Sequence, residues 1–142
     1  MSNIVYTGGT FDLFHSGHVN LLARCKEIAG PFGKVVVSLN TDEFIQQFKG
    51  KPPVCSTEER KAVLESCKYV DEVVLNIGGE NSTIAIELVQ PNYILVGSDW
   101  AKKDYYTQMG FTQDWLDERG IGLIYVPYSK FISSTEIKKR MQ

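Results

Sequence analysis

Residues 6–18 read Tyr6-Thr7-Gly8-Gly9-Thr10-Phe11-Asp12-Leu13-Phe14-His15-Ser16-Gly17-His18. The apolar residues 4–6 predict a short buried strand that leads into this stretch, and the apolar positions of residues 19–29 predict a helix after it. A strand therefore feeds a turn containing Gly8 and Gly9, where the backbone can approach a ligand closely. In α/β proteins such a junction binds phosphate groups, because the free backbone N–H groups and the dipole of the helix favour anions there.

Both histidines of the chain, His15 and His18, lie in this turn. Their spacing of three residues lets them point the same way near the helix start. A single histidine at such a place is usually structural, and a pair can be half of a transition-metal site. The sequence has no Cys-x-x-Cys and no third histidine to complete a metal site. The turn as a whole therefore favours contact with phosphates, and we predict no protein-held metal.

Length and composition predict one globular domain, residues 1–142, with a hydrophobic core: 43% of the residues are hydrophobic and 23% are charged. The net charge of −2 does not indicate the overall basic charge that is typical of nucleic-acid-binding proteins. No apolar run approaches the length of a membrane span, and the N-terminus lacks a signal-peptide pattern. The odd number of cysteines, three, together with the missing export signal predicts reduced thiols and a cytoplasmic protein.

Strands and helices alternate along the rest of the chain. This alternation predicts an α/β fold with a doubly wound, parallel sheet of about five strands, in which ligands lie at the carboxyl ends of the strands. Residues 101–110 show no clear pattern. The further strands are predicted at 34–39, within 69–75, at 93–96 and at 121–126, and the further helices at 43–48, 57–67, 82–90, 112–119 and 133–141.

A second cluster of phosphate-binding residue types comprises Lys49, Lys51 and Arg60. The Lys-Gly-Lys-Pro-Pro segment at 49–53 cannot form regular structure, so the two lysines lie on a loop. Lysine supplies mobile positive charge and arginine a planar fork, and both suit a phosphate chain. The alternative is an ordinary solvated loop.

Two further polar segments follow strands near the C-terminal end of the chain. Ser133, Ser134 and Thr135 open the last helix, where Ser133 alone could be a cap but three hydroxyl residues also offer an anion site. The segment 97–100, Gly-Ser-Asp-Trp, follows the fourth predicted strand. A carboxylate at Asp99 can accept ribose hydroxyls, and Trp100 can cover a base.

Together these segments resemble the glycerol-3-phosphate cytidylyltransferase family of nucleotidyltransferases. Residues 9–18 fit its G-x-F-D-x-x-H-x-G-H pattern without a gap, and residues 97–100 resemble its G-[DS]-D-W. Residues 132–135 keep the end of its R-[TS]-x-G-I-S-[TS]-T motif, with Tyr128 in place of the arginine and Phe131 in place of the glycine. Lys68 stands where the family tends to have an arginine. The resemblance covers nearly the whole chain.

The resemblance implies a Rossmann-like nucleotidyltransferase that joins CTP to a small phosphorylated acceptor, first of all glycerol 3-phosphate, with release of pyrophosphate. His15, His18 and Lys51 would be catalytic, and Lys49, Arg60 and Lys68 would bind the acceptor. Mg²⁺ would arrive with the triphosphate, and the enzyme would be a homodimer. The nucleotide-binding residues implied are Gly9, Thr10, Phe11, His15, His18, Lys51, Gly97, Asp99, Trp100, Ile132, Ser133, Ser134 and Thr135.

Alternatives remain open at this point. Because Tyr128 replaces the family arginine, ATP is a second possible nucleotide, with a sugar phosphate or FMN as acceptor. CTP could also react with another polyol or sugar phosphate. A rival of a different class is a nucleotide-binding sensor without catalysis. Such a sensor could dispense with both histidines and Lys51, so their presence favours the enzyme.

Overall fold

The computed structural model describes residues 3–97, 105–127 and 132–142, with only the backbone of Tyr105. Within these residues, five strands form a single sheet. Each pair of neighbouring strands is parallel. The strands are β1 (Ile4–Gly9), β2 (Lys34–Leu39), β3 (Glu72–Leu75), β4 (Tyr93–Gly97) and β5 (Gly122–Val126).

The strand order is β3-β2-β1-β4-β5, so the chain first moves outward from β1 to β3 and then returns to the far side of β1. The order therefore reverses between β1 and β4. In sheets of this kind, the crevice at the carboxyl ends of the strands at the reversal is where ligands bind. The predicted doubly wound parallel sheet of five strands is confirmed, and the turn at residues 10–15 lies at this reversal.

Helices cover both faces of the sheet. One face carries α1 and α3, which bury Leu22 and Leu64 against the strands, and the other carries α4, α5 and α6, which bury Ile86 and Leu116. No helix among the described residues has the length and apolarity that crossing a membrane requires. The helices are α1 (Ser16–Ala29), α2 (Asp42–Lys49), α3 (Thr57–Glu65), α4 (Thr83–Val89), α5 (Tyr105–Met109), α6 (Gln113–Arg119) and α7 (Ser134–Arg140).

Two elements differ from the sequence-based expectation. Helix α1 begins at Ser16 rather than at residue 19, because His15 supplies a cap that the usual list of capping residues does not include. Helix α5 lies in the region without a clear pattern, since five residues are too few to show a helical repeat of apolar positions. Both differences affect the carboxyl edge of the sheet, where the polar segments meet.

Candidate active site

The β1–α1 turn, residues 10–15, has an unusual backbone. Phe11 and Leu13 have φ angles of 52° and 50°, in the left-handed region that residues with a side chain rarely adopt. The turn is held from two sides. The Arg60 guanidinium donates to the Thr10 carbonyl at 2.8 Å, and the Ser134 hydroxyl donates to the Asp12 carbonyl at 2.6 Å. These bonds fix the strained conformation from outside the turn.

His15 and His18 cap the N-terminus of α1 reciprocally. The Gly17 N–H donates to His15 Nδ1 at 3.0 Å, and the His15 N–H donates to His18 Nδ1 at 3.2 Å. Because each Nδ1 is an acceptor, the proton of each neutral ring lies on Nε2. The rings stack with their centroids 3.8 Å apart. The helix cap therefore presents two Nε2–H donors side by side.

A glycine is needed at position 17 for this arrangement. A Cβ on Gly17 would lie 2.8 Å from Cε1 of the His15 ring, closer than non-bonded carbon atoms approach. The ring is held by its own hydrogen bond to the Gly17 N–H, so it cannot move away without losing the cap. The spacing of the two histidines around one glycine thus follows from packing.

Both histidines are neutral at pH 7. Burial and, to a smaller extent, the neighbouring His15 lower the pKa of His18 to about 4, although Asp12 partly opposes the change. Burial also lowers the pKa of His15. Two protonated rings stacked so closely would repel each other. The pair is therefore suited to donate hydrogen bonds to an anion without carrying charge itself.

We expect the protein to lose stability as the pH falls from about 6.5 to about 4, the unfolded and folded pKa values of His18. In that window the unfolded chain binds a proton that the folded protein does not, so stability rises with pH and is complete above the unfolded pKa. The loss due to His18 should reach about 2 kcal/mol at pH 4.5. Thermal unfolding of wild type and His18→Asn at pH 7 and 4.5 measures it. Equal decreases in Tm for both proteins would contradict the lowered pKa of His18.

A cavity of about 510 Å³ opens beside the turn. Its wall includes Thr10 and His18 from the turn and the first residues of α1, Thr135 from α7, and the segment 49–53. Its described lining also contains Lys49, Lys51 and Lys138, so three cations share the cavity with the neutral imidazole of His18. His15 stacks on His18 and is not part of the described lining. An arrangement of N–H donors and lysines around an open cavity is suited to a chain of phosphates. We call it the catalytic cavity.

The lysine loop, residues 49–53, is anchored at both ends. It begins at the C-terminal end of α2, where Gly50 has a φ of 78°, and it ends where the Asp12 carboxylate accepts the Val54 and Cys55 N–H groups at 2.7 and 2.9 Å. Between these points Lys49 and Lys51 are exposed. The loop is thus fixed to the β1–α1 turn at its base, with its positive charges at the solvent side of the cavity.

Arg60 lies below the turn, not in the cavity. Its side chain is 1% exposed. All five of its N–H donors are used within the protein, so none is left for a ligand. Burial alone would raise the pKa of Asp42, but the Thr57 N–H and the Arg60 guanidinium outweigh that effect and lower it. The acceptors are the Cys55, Thr10 and Asn40 carbonyls, the Asp42 carboxylate and the Thr57 hydroxyl.

Lys68 also lies away from the cavity. It is exposed, precedes β3, and its Nζ lies 5.1 Å from the centre of the Tyr69 ring. The start of β3 is at the amino edge of the sheet, opposite the β1–α1 turn. Of the three residues predicted to bind the acceptor, the structure therefore brings only Lys49 to the cavity, while Arg60 acts as a brace and Lys68 is remote.

The start of α7 completes the cavity. Ser133 caps the helix by accepting the Glu136 N–H at 3.0 Å, Ser134 holds the turn, and Thr135 is exposed toward the cavity. Sequence reasoning missed Lys138, although its position four residues after Ser134 puts both on one side of the helix. Gly97 ends β4. Asp99, Trp100, Tyr128 and Phe131 lie outside the described residues.

A metal ion held by the protein itself needs several histidine, cysteine or carboxylate ligands. Among the described residues, no group of three or more histidine, cysteine or acidic side chains could hold a metal. Asp12 is the acidic residue in the described lining of the catalytic cavity, and both of its oxygens accept backbone N–H groups. This set fits an ion such as Mg²⁺ that is bound mainly by phosphate oxygens and water.

Comparisons with known proteins agree with this geometry. The model of the cytidylyltransferase-like family matches residues 6–140. The glycerol-3-phosphate cytidylyltransferase of Bacillus subtilis (strain 168) is 36% identical over 137 residues, which are 96% of this chain and 95% of the relative. The FAD synthase of Pyrococcus horikoshii is 38% identical over 95 residues, 67% of this chain and 62% of the relative.

Among solved structures, a lipopolysaccharide core biosynthesis protein from Thermoplasma volcanium GSS1 is similar with a TM-score of 0.70 and 25% identity. The match covers 93% of this chain and 100% of that chain. The likeness therefore extends over most of this chain and the full length of the other.

Proposed function

The chain belongs to the cytidylyltransferase-like family, and on this premise we propose that it joins CTP to glycerol 3-phosphate, giving CDP-glycerol and pyrophosphate. The observation that carries the proposal is the pair of neutral histidine Nε2–H donors beside a cavity with three lysines. The similarity to a glycerol-3-phosphate cytidylyltransferase over nearly the full length of both chains supports the choice of substrates. The activity class, nucleotidyl transfer, follows from the family.

In the proposed reaction, a phosphate oxygen of the acceptor attacks the α-phosphorus of the nucleotide. The bond from that phosphorus to the oxygen bridging to the β-phosphate breaks, and pyrophosphate leaves with the bonding electrons. Such a displacement needs alignment and neutralisation of charge, not a covalent protein nucleophile. The protein's part is therefore to hold two anions in line and to stabilise the charge that develops between them.

The cavity residues divide this task. His15 and His18 donate hydrogen bonds to the phosphates as negative charge builds during the displacement. Lys51 stays in contact with the reacting phosphates during the displacement, and Lys49 attracts the phosphate of the acceptor. Thr135 and the start of α7 hold the outer phosphates, with Lys138 nearby on the same helix. A Mg²⁺ ion bound with the triphosphate would neutralise part of its charge.

A pyrophosphate-release assay tests the function. CTP and ATP are each combined with glycerol 3-phosphate, a sugar phosphate and FMN, with Mg²⁺ present. We expect the highest kcat/KM for CTP with glycerol 3-phosphate, and CTP binding at least several-fold tighter than ATP in calorimetry. Preference for ATP with FMN would instead assign the chain to the reaction named for its FAD synthase relatives. Nucleotide binding without pyrophosphate release from any pair would favour a non-catalytic sensor.

The lysine loop gives a second test of the mechanism. Lys51→Ala should lower kcat about 10- to 100-fold at saturating substrates, because a charged hydrogen bond to the reacting phosphates is lost. Lys49→Ala should mainly raise the KM of the acceptor. Lys139→Ala is the control, since Lys139 is exposed on α7 and does not line the cavity. Wild-type kinetics for Lys51→Ala would show that the loop is an ordinary solvated connection.

Limited proteolysis tests whether nucleotide binding orders the lysine loop, and it does so without measuring turnover. A bound triphosphate supplies the charge that opposes Lys49 and Lys51, so it should order the loop as a closing lid. We expect cleavage within residues 48–54 to slow when CTP and Mg²⁺ are added. Equal cleavage with and without nucleotide would contradict closure.

We also propose that the enzyme is a cytoplasmic homodimer. The edge strand β3, the loop after it and α4 expose the apolar residues Leu75, Ile77, Ile84 and Leu88, and exposed apolar surface of this kind favours association. Light scattering after size exclusion should give twice the chain mass of 16.0 kDa. The cysteines are free, in keeping with a reducing compartment.

A further inference from the structure

We propose that a second, smaller cavity beside the β1–α1 turn binds the uncharged, hydroxyl-bearing end of the acceptor. This inference rests on the proposed function and specifies which acceptors the site takes. The cavity has a volume of about 90 Å³ and lies at the carboxyl ends of β1 to β4. Gly8, Gly9 and Ser38 line it from the sheet, and Asn76 lines it from the loop after β3. We call it the polar cavity.

The polar cavity adjoins the catalytic cavity through one pair of side chains. Asn40 lines the polar cavity, and its Nδ2 donates to the Thr10 hydroxyl at 3.3 Å. Thr10 in turn lines the catalytic cavity. Gly9, the neighbour of Thr10, lies in the wall of the polar cavity and has no side chain to separate the two spaces. A small molecule with its phosphate beside the lysines can therefore place its other end over Gly8 and Gly9.

Two unpartnered polar atoms mark the polar cavity as a binding site. Among the described residues, the buried side-chain oxygens and nitrogens without a hydrogen-bond partner are Ser38 Oγ and Asn76 Oδ1, and both residues line this cavity. Ser38 is 1% exposed and Asn76 is 7% exposed. An unsatisfied buried polar atom is destabilising, so native proteins seldom keep one unless a ligand or water completes it. Here two such atoms share one cavity.

The neighbours of these atoms show which hydrogen-bonding capacity each side chain leaves unused. Asn76 Nδ2 donates to Asn40 Oδ1 at 3.0 Å and to the Gly79 carbonyl at 2.9 Å. Two acceptors around this atom identify it as the nitrogen, which leaves Oδ1 as a free acceptor. The Tyr6 hydroxyl lies close enough to Ser38 to lower the pKa of Tyr6 slightly against the larger effect of burial. Ser38 Oγ nevertheless has no well-formed hydrogen bond in the described structure. The cavity thus offers one acceptor and one hydroxyl that can donate or accept.

The chemistry of the wall selects a neutral group. None of the described lining residues is charged at neutral pH, since the ionisable one, Tyr6, has its pKa raised by burial to about 12. The described wall has no cation for a second anionic group and no carboxylate for an amine. About 90 Å³ admits a few water-sized groups but not a fused aromatic ring system. A short polyol end with free hydroxyls fits these conditions, whereas the flavin of FMN does not.

The test compares two acceptors that differ only in hydroxyls, glycerol 3-phosphate and propyl phosphate. Ser38→Ala removes an oxygen that makes no hydrogen bond in the protein, so the variant should be at least as stable as wild type. It should lower kcat/KM for glycerol 3-phosphate about 3- to 10-fold, the effect of one neutral hydrogen bond. The kcat/KM for propyl phosphate and the KM for CTP should not change. Ser66→Ala, at the exposed C-terminal end of α3, is the control.

A second variant tests the space itself. A Cβ on Gly8 would lie 3.5 Å from the Tyr6 hydroxyl and 3.6 Å from the Ser38 carbonyl, which are ordinary contacts. Gly8→Ala should therefore fold, while its methyl group fills part of the polar cavity. We expect it to raise the KM for glycerol 3-phosphate more than that for the shorter acceptor methyl phosphate.

The outcomes separate the two proposals. If wild type reacts with glycerol 3-phosphate but Ser38→Ala affects both acceptors equally or neither, and Gly8→Ala does not discriminate between acceptors, the polar cavity is not the acceptor subsite. In that result the proposed function stands. If wild type releases no pyrophosphate with CTP and any polyol phosphate, the proposed function fails and the subsite fails with it.

Discussion

His18→Ala is expected to lower kcat about 10²- to 10³-fold, the usual effect of removing one preorganised donor to a developing charge. The reason lies in the proton on Nε2, which the hydrogen bond from the His15 N–H to Nδ1 places there. Because the pKa of His18 is about 4, this donor is neutral and unchanged over the pH range of an assay near 7. Steady-state kinetics with CTP and glycerol 3-phosphate, together with circular dichroism, measures the effect.

The control for this prediction is His18→Asn. Asparagine can still accept the His15 N–H and so keep the cap of α1, but its side chain is too short to replace the Nε2–H donor. Turnover should fall in this variant as far as in His18→Ala, while Tm at pH 7 should fall less. A folded His18→Ala or His18→Asn protein with most of the wild-type kcat would show that His18 is not a catalytic residue.

Arg60→Met is expected to destabilise the protein by about 3–5 kcal/mol, as removing one partner of a buried, hydrogen-bonded ion pair does. The substitution keeps most of the side-chain volume but leaves the Thr10 and Asn40 carbonyls without the N–H donors that reach them at 2.8 Å. The Asp42 carboxylate loses its ion pair at 2.7 Å. Urea unfolding of wild type and variant gives the difference directly.

Arg119→Met provides the matched control. Arg119 also pairs with a carboxylate at 2.8 Å, that of Glu87, but its side chain is 36% exposed. An exposed pair of this kind contributes about 0–1 kcal/mol, so the control should remain close to wild type. If Arg60→Met and Arg119→Met lose the same small amount, Arg60 is not the brace of the turn, and its role as an acceptor-binding residue would have to be reconsidered.

The fold was predictable because its signals are local. Buried strands such as β2 are continuous apolar runs in the sequence. Ser56 and Ser133 are helix-capping residues, and each predicts the helix that follows it. Alternation of strands and helices then leaves few topologies. The start of α1 was not predictable in the same way, because a histidine cap depends on side-chain geometry that spacing alone does not reveal.

The part of the site that is continuous in sequence was predictable. The part formed by residues that only folding brings together was not. The turn with His15 and His18 could be identified from one stretch. An arginine in a phosphate-binding pattern gives no sign that its donors will be used internally, as those of Arg60 are. Ser38 and Asn76 are single polar residues at strand ends, and only the packing of the sheet shows that they share a cavity.

The left-handed backbone at Leu13 has a consequence for how this protein can become more heat-resistant. A glycine there would adopt a φ of 50° without the steric cost that a side chain carries, about 1–2 kcal/mol, although it would also loosen the unfolded chain. The turn would then be freer to relax away from the shape that the two imidazoles require. Evolution toward hotter habitats, or directed evolution for thermostability, would meet a trade-off at this position between melting temperature and turnover.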